Sequence, residues 1–286
     1  MRNKIKSYLS LIKFSHTVFA MPFALTAYFM AIKEPGQIFE WRTLILVLLS
    51  MIFARNSAMA FNRYTDRFID AKNPRTETRE IPKKIITAKN ALIFTIINSV
   101  LFIISASFIN IYTLILSPLA LLIVLGYSYT KRFTFLSHIF LGLGLAIAPA
   151  GAYIAVTGTF SFAIMMLSAS VLLWTAGFDI IYSLQDEEFD KKYKLFSIPA
   201  KLGRKSSLWI STILHFIAVM FLLFWAILMS ANFIQWIGIG VFTALLVHQH
   251  LIVKPNDISK VNIAFGTTNG IASICLAVAT IISLFY

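Results

Sequence analysis

Long runs of apolar residues, separated by short polar segments, recur along the whole chain. The runs are about 20 residues long, which is the length that a helix needs to cross the hydrocarbon layer of a bilayer. Because backbone groups in lipid must form hydrogen bonds within the protein, helices are the expected element. The pattern predicts about nine membrane-spanning helices, with the approximate bounds 15–32, 43–61, 91–109, 112–130, 136–156, 160–182, 207–229, 232–252 and 263–284.

The amino-acid composition supports the same class of protein. Of the 286 residues, 58% are hydrophobic and 13% are charged, and the mean hydropathy is +0.80. Soluble domains carry about 25% charged residues. The apolar runs are too long, and alternate too little, for a transmembrane β-barrel. We therefore predict a single all-α membrane domain over residues 1–286, in which the one cysteine, Cys275, excludes a disulfide within the chain.

Positive charges predict the orientation of the chain. Lys and Arg total 25, and most of them lie before the first span or in every second connection, whereas the connections near Asn110, Gly158 and Asn232 carry none. The positive-inside rule then places the N-terminus in the cytoplasm and Tyr286 outside the inner membrane. Basic loops beside anionic lipid explain most of the net charge of +13. We therefore predict the bilayer as a partner, and neither nucleic acid nor another protein.

Two charged stretches interrupt the apolar pattern at matching places. Steps of three or four residues separate their polar side chains: Asn62, Asp66 and Asp70 after the second span, and Asp179, Tyr182, Asp186 and Asp190 towards the end of the sixth. Side chains with this spacing share one face of a helix, so each stretch forms a polar stripe at the end of a span. Both spans are even-numbered and end at the same membrane face, which predicts two similar halves around one shared site.

Carboxylates that cluster in this way repel one another, so the site calls for a positive ligand. Mg²⁺ is bound in proteins by a few carboxylates, and water and substrate phosphate complete its shell. The arginines and lysines close to both stripes match phosphate oxygens. A phosphate at the membrane surface, above an apolar chamber, indicates an amphiphilic substrate with a diphosphate head and a hydrocarbon tail.

The same residues carry a resemblance to a known family. The segments "NRYTDRFID" and "DIIYSLQDEEFD" resemble the two aspartate motifs of the UbiA-type intramembrane prenyltransferases. The segments "NPRTETREIP", "YSYTKRFTFLSH" and "SIPAKLG" are similar to parts of the branch that prenylates aromatic acids in quinone biosynthesis. The resemblance implies nine transmembrane helices and a Mg²⁺-dependent transfer of a polyprenyl chain from its diphosphate to an aromatic ring. It leaves the acceptor open between 4-hydroxybenzoate and a dihydroxynaphthoate, and it leaves the prenyl length open.

Hypotheses for individual residues follow from the stripes and the resemblance. Two Mg²⁺ ions would be held by five side chains: Asn62, Asp66 and Asp70 for the first ion, and Asp186 and Asp190 for the second. Asp179 and Tyr182 would line the reaction centre. Arg55 would face the carboxylate of the acceptor or the diphosphate. The active site would open towards the cytoplasm.

Six further residues complete the predicted substrate site: Lys131, Arg132, Tyr127, Arg75, Arg79 and Lys201. The two bases after the fourth span resemble the family's diphosphate-binding bases, and the tyrosine would share their helical face. The last three residues of the set are expected as loop partners. Glu187 and Glu188 are expected to be solvated, and His16 is expected to be structural.

Two other functions share some of these features. A secondary transporter also combines repeated halves with membrane-embedded carboxylates, but here the aspartates lie at the cytoplasmic edge, and matching spans lack paired Gly and Pro. A lipid-phosphate hydrolase needs a histidine or another nucleophile beside the phosphate, and neither aspartate stretch contains a histidine. Prenyl transfer is therefore the favoured function, with the transporter as the alternative.

Overall fold

A computed structural model describes residues 2–13 and 19–286, and the regular structure of these residues is helical. The α-helices in these two ranges are α1 (Arg2–Leu11), α2 (Met21–Ala31), α3 (Trp41–Thr65), α4 (Arg67–Asp70), α5 (Ala88–Ser107), α6 (Ile111–Thr130), α7 (Ser137–Thr157), α8 (Phe162–Ser183), α9 (Glu187–Lys192), α10 (Ile198–Leu228), α11 (Phe233–Ile252) and α12 (Asn269–Ser283). A 3₁₀ turn (Leu184–Asp186) joins α8 to α9, and a π-helical turn (Ile263–Thr268) precedes α12. The predicted all-helical fold is confirmed.

Within the described ranges, eight helical segments are long and apolar enough to cross a membrane, judged by length and composition. They correspond to the second through ninth predicted spans. The bounds differ most at two places: the sixth segment runs to Lys192 instead of residue 182, and α10 begins at Ile198 instead of residue 207. In α10 a polar first turn joins the apolar helix across a kink at Gly203, which has φ 75° and ψ 170°. The first predicted span, 15–32, contains α2, an apolar helix of 11 residues. Residues 14–18, including His16, lie outside the described residues.

Polar side chains determine where many of the helices begin. Asn110, Ser161 and Asn232 each accept a hydrogen bond from a backbone N–H in the first turn of the next helix. Thr87 and Ser197 cap α5 and α10 in the same way. Such caps satisfy N–H groups that have no partner within the helix. These caps occur both in the basic connections and in the connections that carry no positive charge.

The helices pack closely around the interior of the protein. α3 packs against α5 and α6, and α8 packs against α7 and α10, with Trp174 and Trp225 fully buried in the core. α7 and α8 approach each other at Gly142, where a Cβ atom would collide with the carbonyl group of Leu172. Small residues allow such close approach between membrane helices. On the outer surface, apolar side chains such as Leu122 on α6 are exposed, as a lipid-facing position requires.

The two aspartate stretches have the same local structure. In the first half, α3 ends at Thr65, and Asp66 has φ −87° and ψ 2°, outside the helical range, before α4 begins. In the second half, Asp186 has φ −102° and ψ 2° before α9 begins. The backbone N–H of Asp70 still bonds to the carbonyl of Asp66 at 2.7 Å, so the four-residue spacing is kept. The repeat in the sequence is therefore also a repeat in the backbone.

Candidate active site

A cavity of about 830 Å³ lies among α3, α6, α7 and α8. Apolar side chains line much of its length, among them Phe102, Leu116, Ala120, Val124, Leu141 and Leu145. Both aspartate stretches lie at one end of it, together with basic residues of the loop after α4. The cavity therefore joins a charged end to an apolar chamber, as the sequence predicted for an amphiphilic substrate.

The first stretch is neutralised by bases from two loops. The Asp66 carboxylate is buried and lies 3.7 Å from Lys131 Nζ and 3.3 Å from Arg132 Nη2. Asn62 also donates to Asp66, at 3.3 Å. Asp70 accepts a bond from Arg79 at 2.7 Å through Oδ1. Lys131, Arg132 and Arg79 were all expected near the phosphate from the sequence, and the structure brings them to the first stretch.

Asp70 keeps one oxygen without a partner. Its Oδ2 is buried, and no hydrogen-bond partner reaches it from the residues that the structure describes. A buried oxygen without a partner is costly, because it has lost its contact with water and gained nothing in return. A cation that this oxygen coordinates, or a ligand that donates a hydrogen bond to it, would remove the cost.

The loop that follows the first aspartate stretch forms hydrogen bonds to the second aspartate stretch. Asp186 accepts a bond from Asn73 at 2.9 Å and one from Arg75 Nε at 2.9 Å, and Arg75 Nη2 donates to its other oxygen. Arg75 Nη1 also donates to the Tyr182 hydroxyl at 2.9 Å. The buried carboxylate of Asp190 lies beside Ser197. One loop thus joins the two halves at the charged end of the cavity.

The environment of Arg75 favours its charged form. Burial alone would lower the pKa of the guanidinium, but the hydrogen bonds and the negative charge of Asp186 outweigh this effect and raise the pKa of Arg75 above its ordinary value. Arg75 therefore carries a full positive charge at the mouth of the cavity. This charge suits an anionic ligand.

Asp179 and Tyr182, which were predicted to line the reaction centre, contact residues from other parts of the fold. Asp179 Oδ2 is 2.7 Å from His138 Nδ1, and the Tyr182 ring stacks on Phe265 with the centroids 4.1 Å apart. All four side chains line the cavity. Because His138 is on α7, this contact fixes the position of α7 relative to the second aspartate stretch.

Two further predicted residues, Arg55 and Tyr127, line the cavity, whereas Arg132, which reaches Asp66, and Lys201 do not line it. Arg55 donates to the backbone carbonyls of Ile12 and Lys13 at 3.0 and 2.9 Å, and Tyr127 lies on the wall formed by α6. Lys201 lies outside this lining. Its Nζ is 3.8 Å from the centroid of the Phe135 ring on an exposed surface. The structure therefore does not bring Lys201 to the other predicted residues.

The expectation for Glu187 is wrong. Its side chain is buried and accepts bonds from Lys191 at 2.6 Å and Arg204 at 2.8 Å. Four-residue spacing predicts the Lys191 contact, but Arg204 comes from α10, which only the tertiary structure brings close. Glu188, in contrast, is exposed as expected. Glu187 therefore connects α9 to α10 through its ion pair with Arg204.

Three residues at the site were not singled out from the sequence. Asn73 bonds to Asp186, and His138 bonds to Asp179. Arg63 is buried against the cavity, and in the described chain its Nε has no hydrogen-bond partner. Asn73 and His138 lie in "NPRT" and "FLSH", two parts of the segments that carry the family resemblance, but the resemblance predicted no role for either side chain. Nothing in the sequence distinguishes Arg63 from a solvated arginine.

The carboxylates fit a hard divalent cation in part. Among the described residues, no group of three or more His, Cys, Asp or Glu side chains lies close enough to hold a metal ion by itself. The aspartates form two separate pairs, and Asp70 has a buried oxygen without a partner. Paired carboxylate oxygens that need further ligands suit Mg²⁺, which completes its shell with water and substrate phosphate.

The fold and the site together define a membrane enzyme that binds a substrate with an anionic head and an apolar tail. Residues 20–277 match the UbiA prenyltransferase family. This match covers most of the chain, which therefore belongs to the UbiA prenyltransferase family and is a prenyltransferase. The transporter considered from the sequence is not supported.

Relatives of known name and structure agree with this assignment. A 4-hydroxybenzoate octaprenyltransferase of Aliivibrio fischeri (strain MJ11) is 26% identical over 218 residues, which are 76% of this chain and 76% of the relative. The apo structure of a UbiA homologue from Aeropyrum pernix K1 has a TM-score of 0.84 and 28% identity, over 93% of this chain and 97% of that one. A UbiA homologue from Archaeoglobus fulgidus, bound to GPP and Mg²⁺, has the same fold with a TM-score of 0.72 and 22% identity, over 98% of this chain and 100% of that one.

Proposed function

We propose that the protein transfers a polyprenyl chain from its diphosphate to an aromatic acid, either 4-hydroxybenzoate or a related hydroxynaphthoate, in quinone biosynthesis. The observation that carries this proposal is the pair of aspartate stretches, joined by Arg75, at the charged end of a largely apolar cavity. The names of relatives as 4-hydroxybenzoate octaprenyltransferases support an aromatic acid as acceptor.

Mg²⁺ is the proposed cofactor, and five side chains would hold it: Asn62, Asp66, Asp70, Asp186 and Asp190. The buried Oδ2 of Asp70, which lacks a partner, supports this assignment. So does the homologue that was solved with GPP and Mg²⁺. Bound Mg²⁺ would neutralise charge on the diphosphate as it leaves.

The basic side chains would bind and neutralise the diphosphate. Arg75, Arg79, Lys131 and Arg132 already lie beside the aspartates. Fixed positive charges of this kind stabilise the charge that develops on the leaving group. Arg63, whose Nε has no partner in the described chain, adds a further buried cation that lines the cavity. Together these residues favour cleavage of the bond between the prenyl C1 and the diphosphate oxygen.

The rest of the cavity would serve the allylic cation and its acceptor. The ring attacks the prenyl C1, a carbon–carbon bond forms, and the ring then loses a proton. Asp179 and Tyr182 would lie at this point, and Arg55 would face the carboxylate of the acceptor or the diphosphate. Water must be excluded because it would quench the cation. The apolar lining, with Phe265 stacked on Tyr182, supports such exclusion.

The basic connections support an active site that opens towards the cytoplasm. Arg75, Arg79, Lys131 and Arg132 all lie in loops on the face that the positive-inside rule assigns to the cytoplasm. Polyprenyl diphosphate would then enter with its head at this face and its chain in the apolar cavity. In a cell with two membranes, the corresponding location is the inner membrane.

A defined assay tests the proposed function. Purified protein is given polyprenyl diphosphates of several lengths, each with 4-hydroxybenzoate or a dihydroxynaphthoate, and products are identified by mass. We expect a prenylated ring acid and free diphosphate, both lost when Mg²⁺ is chelated. If no ring acid of either class is prenylated with any chain length, the proposal is wrong. Uptake into proteoliposomes without any product would instead favour the transporter.

A further inference from the structure

His138 and Asp179 form a close contact that no predicted role explains. His138 Nδ1 lies 2.7 Å from Asp179 Oδ2, on facing sides of α7 and α8. The His138 side chain is only 3% exposed, whereas the Asp179 side chain is 22% exposed and lines the cavity. Both side chains line the cavity, but the histidine is nearly fully covered by protein, whereas Asp179 keeps access to the cavity.

The second ring nitrogen of His138 faces a backbone donor. The N–H of Ile198, at the start of α10, points at His138 Nε2 with a nitrogen–nitrogen distance of 3.5 Å. A backbone N–H can only donate, so Nε2 must offer its lone pair, and the proton of a neutral ring must lie on Nδ1. In this tautomer His138 donates to Asp179 and leaves the other carboxylate oxygen free for the cavity. The partner on one nitrogen thus sets the role of the other.

The segment 196–198 has further contacts with the site. The N–H of Phe196 donates to the Lys131 carbonyl at 2.8 Å. Ser197 lies beside the Asp190 carboxylate and caps α10. Ile198 reaches Asp179 through His138. This short segment therefore contacts Lys131 and Asp190 directly, and it contacts Asp179 through His138.

We propose that His138 is a positioning residue that holds Asp179 with one carboxylate oxygen directed into the cavity, and that the backbone of Ile198 sets the tautomer that does so. This inference rests on the proposed function, in which Asp179 lies beside the reacting carbon and the acceptor. His138 itself does not exchange protons with the substrate, because Nδ1 is bonded to Asp179 and Nε2 is directed at the backbone.

Three substitutions separate positioning from other roles. Asn carries its amide nitrogen close to the place of the histidine Nδ1, so His138→Asn keeps a donor for Asp179. Gln places its amide close to Nε2, and Ala has no donor, so His138→Gln and His138→Ala lose the contact. Single-turnover prenyl transfer should fall by roughly a hundredfold in the latter two and stay within about tenfold of wild type in His138→Asn, as a displaced reacting group predicts. Binding of a non-reactive prenyl thiodiphosphate should stay within a few-fold in all three variants.

The outcomes against the proposal are distinct. Equal slowing of His138→Asn and His138→Ala, with binding retained, would show that the imidazole is needed for itself. Wild-type rates in all three variants would show that Asp179 needs no support. If His138→Ala fails to fold, the comparison of the Asn and Gln variants still decides, because both fill part of the space of the ring.

A second measurement does not depend on which acceptor the enzyme uses. The ¹⁵N spectrum of protein labelled at histidine, assigned by loss of the His138 signals in His138→Asn, should show the tautomer with the proton on Nδ1. Asp179→Asn should shift those signals. A proton on Nε2, or signals that ignore Asp179→Asn, would overturn the proposal. If instead no aromatic acid is prenylated but the tautomer is as stated, the proposed function fails while the positioning contact stands.

Discussion

Arg75 and Asp186 form a two-point ion pair that joins the two halves of the protein. Arg75 Nε donates to Asp186 Oδ1 at 2.9 Å, Nη2 donates to Oδ2, and the remaining terminal nitrogen donates to Tyr182. The loop after the first aspartate stretch therefore neutralises the second. If a metal ion and a diphosphate bind together, each member of this ion pair can exchange its partner: the aspartate can bind the metal ion, and the arginine can bind phosphate oxygens.

The first prediction concerns this exchange. Arg75→Gln should raise the KM for the prenyl diphosphate by roughly tenfold or more, because a hydrogen bond to a charged group contributes about 1.5–3 kcal/mol. The Mg²⁺ concentration for half-maximal activity should fall, since Asp186 would no longer be neutralised by a guanidinium. Steady-state kinetics over Mg²⁺ and substrate measure both. Lys201→Gln, which changes an exposed lysine on the Phe135 ring, should leave both values within about twofold. A rise in both values in Arg75→Gln would mean that Arg75 only supports the loop.

The second prediction concerns the aspartates. Asp66→Asn and Asp186→Asn should each lower turnover by orders of magnitude while the protein still inserts and folds, because each removes a negative charge that would bind metal. Prenyl transfer and elution from a sizing column measure the two properties. Glu188→Gln is the matched control, since this side chain is 91% exposed and its removal should leave turnover unchanged. Near-normal turnover of both Asp variants at ordinary Mg²⁺ would exclude the two-site assignment.

The third prediction separates Asp179 from the metal site. Asp179→Asn should keep the affinity for a non-reactive prenyl thiodiphosphate within a few-fold of wild type but slow product formation strongly. This pattern marks the loss of an interaction that is made mainly in the transition state. Direct binding and single-turnover rates test it. Should Asp179→Asn lose diphosphate affinity as severely as Asp186→Asn, Asp179 belongs with the metal ligands.

The fourth prediction concerns the packing of α7 on α8. Gly142→Ala should destabilise the protein by about 1–3 kcal/mol, since the new methyl group meets the backbone of Leu172, which cannot move aside as a side chain could. Gly126→Ala on α6, where a Cβ atom meets nothing within 4 Å, should be neutral or stabilising by up to about 1 kcal/mol. Thermal unfolding in detergent compares the two. Equal melting temperatures would show that the helices can separate at Gly142 without cost.

The fifth prediction concerns topology. A reporter fused after Tyr286 should be extracytoplasmic, because nine crossings start from a basic cytoplasmic N-terminus. Eight helices in the described residues are long enough to cross, and α2 has only 11 residues. The outcome therefore depends on whether the segment that contains α2 crosses as well. A cytoplasmic reporter would show that one crossing was miscounted, and a second fusion near Gly158 would then show whether that crossing lies before or after Gly158.

Much of the fold could be read from the order of apolar and polar residues. Eight predicted spans match eight helices, since in lipid an apolar run of about 20 residues has no other way to satisfy its backbone. The bounds were less accurate where a polar turn joins an apolar helix across a kink, as at Gly203 in α10. Glu187 was misjudged because its partner Arg204 lies on the next helix, and sequence spacing does not report contacts between helices.

The sequence by itself determined the class of the protein, the two aspartate stretches and the basic segments near them, because hydropathy and four-residue spacing are local properties. Only the tertiary structure decided which base meets which acid. It assigned Arg75 to the second stretch instead of the first, moved Lys201 away from the cavity, and placed His138 beside Asp179. These contacts join residues far apart in the chain, and helix packing, which local spacing does not encode, brings them together.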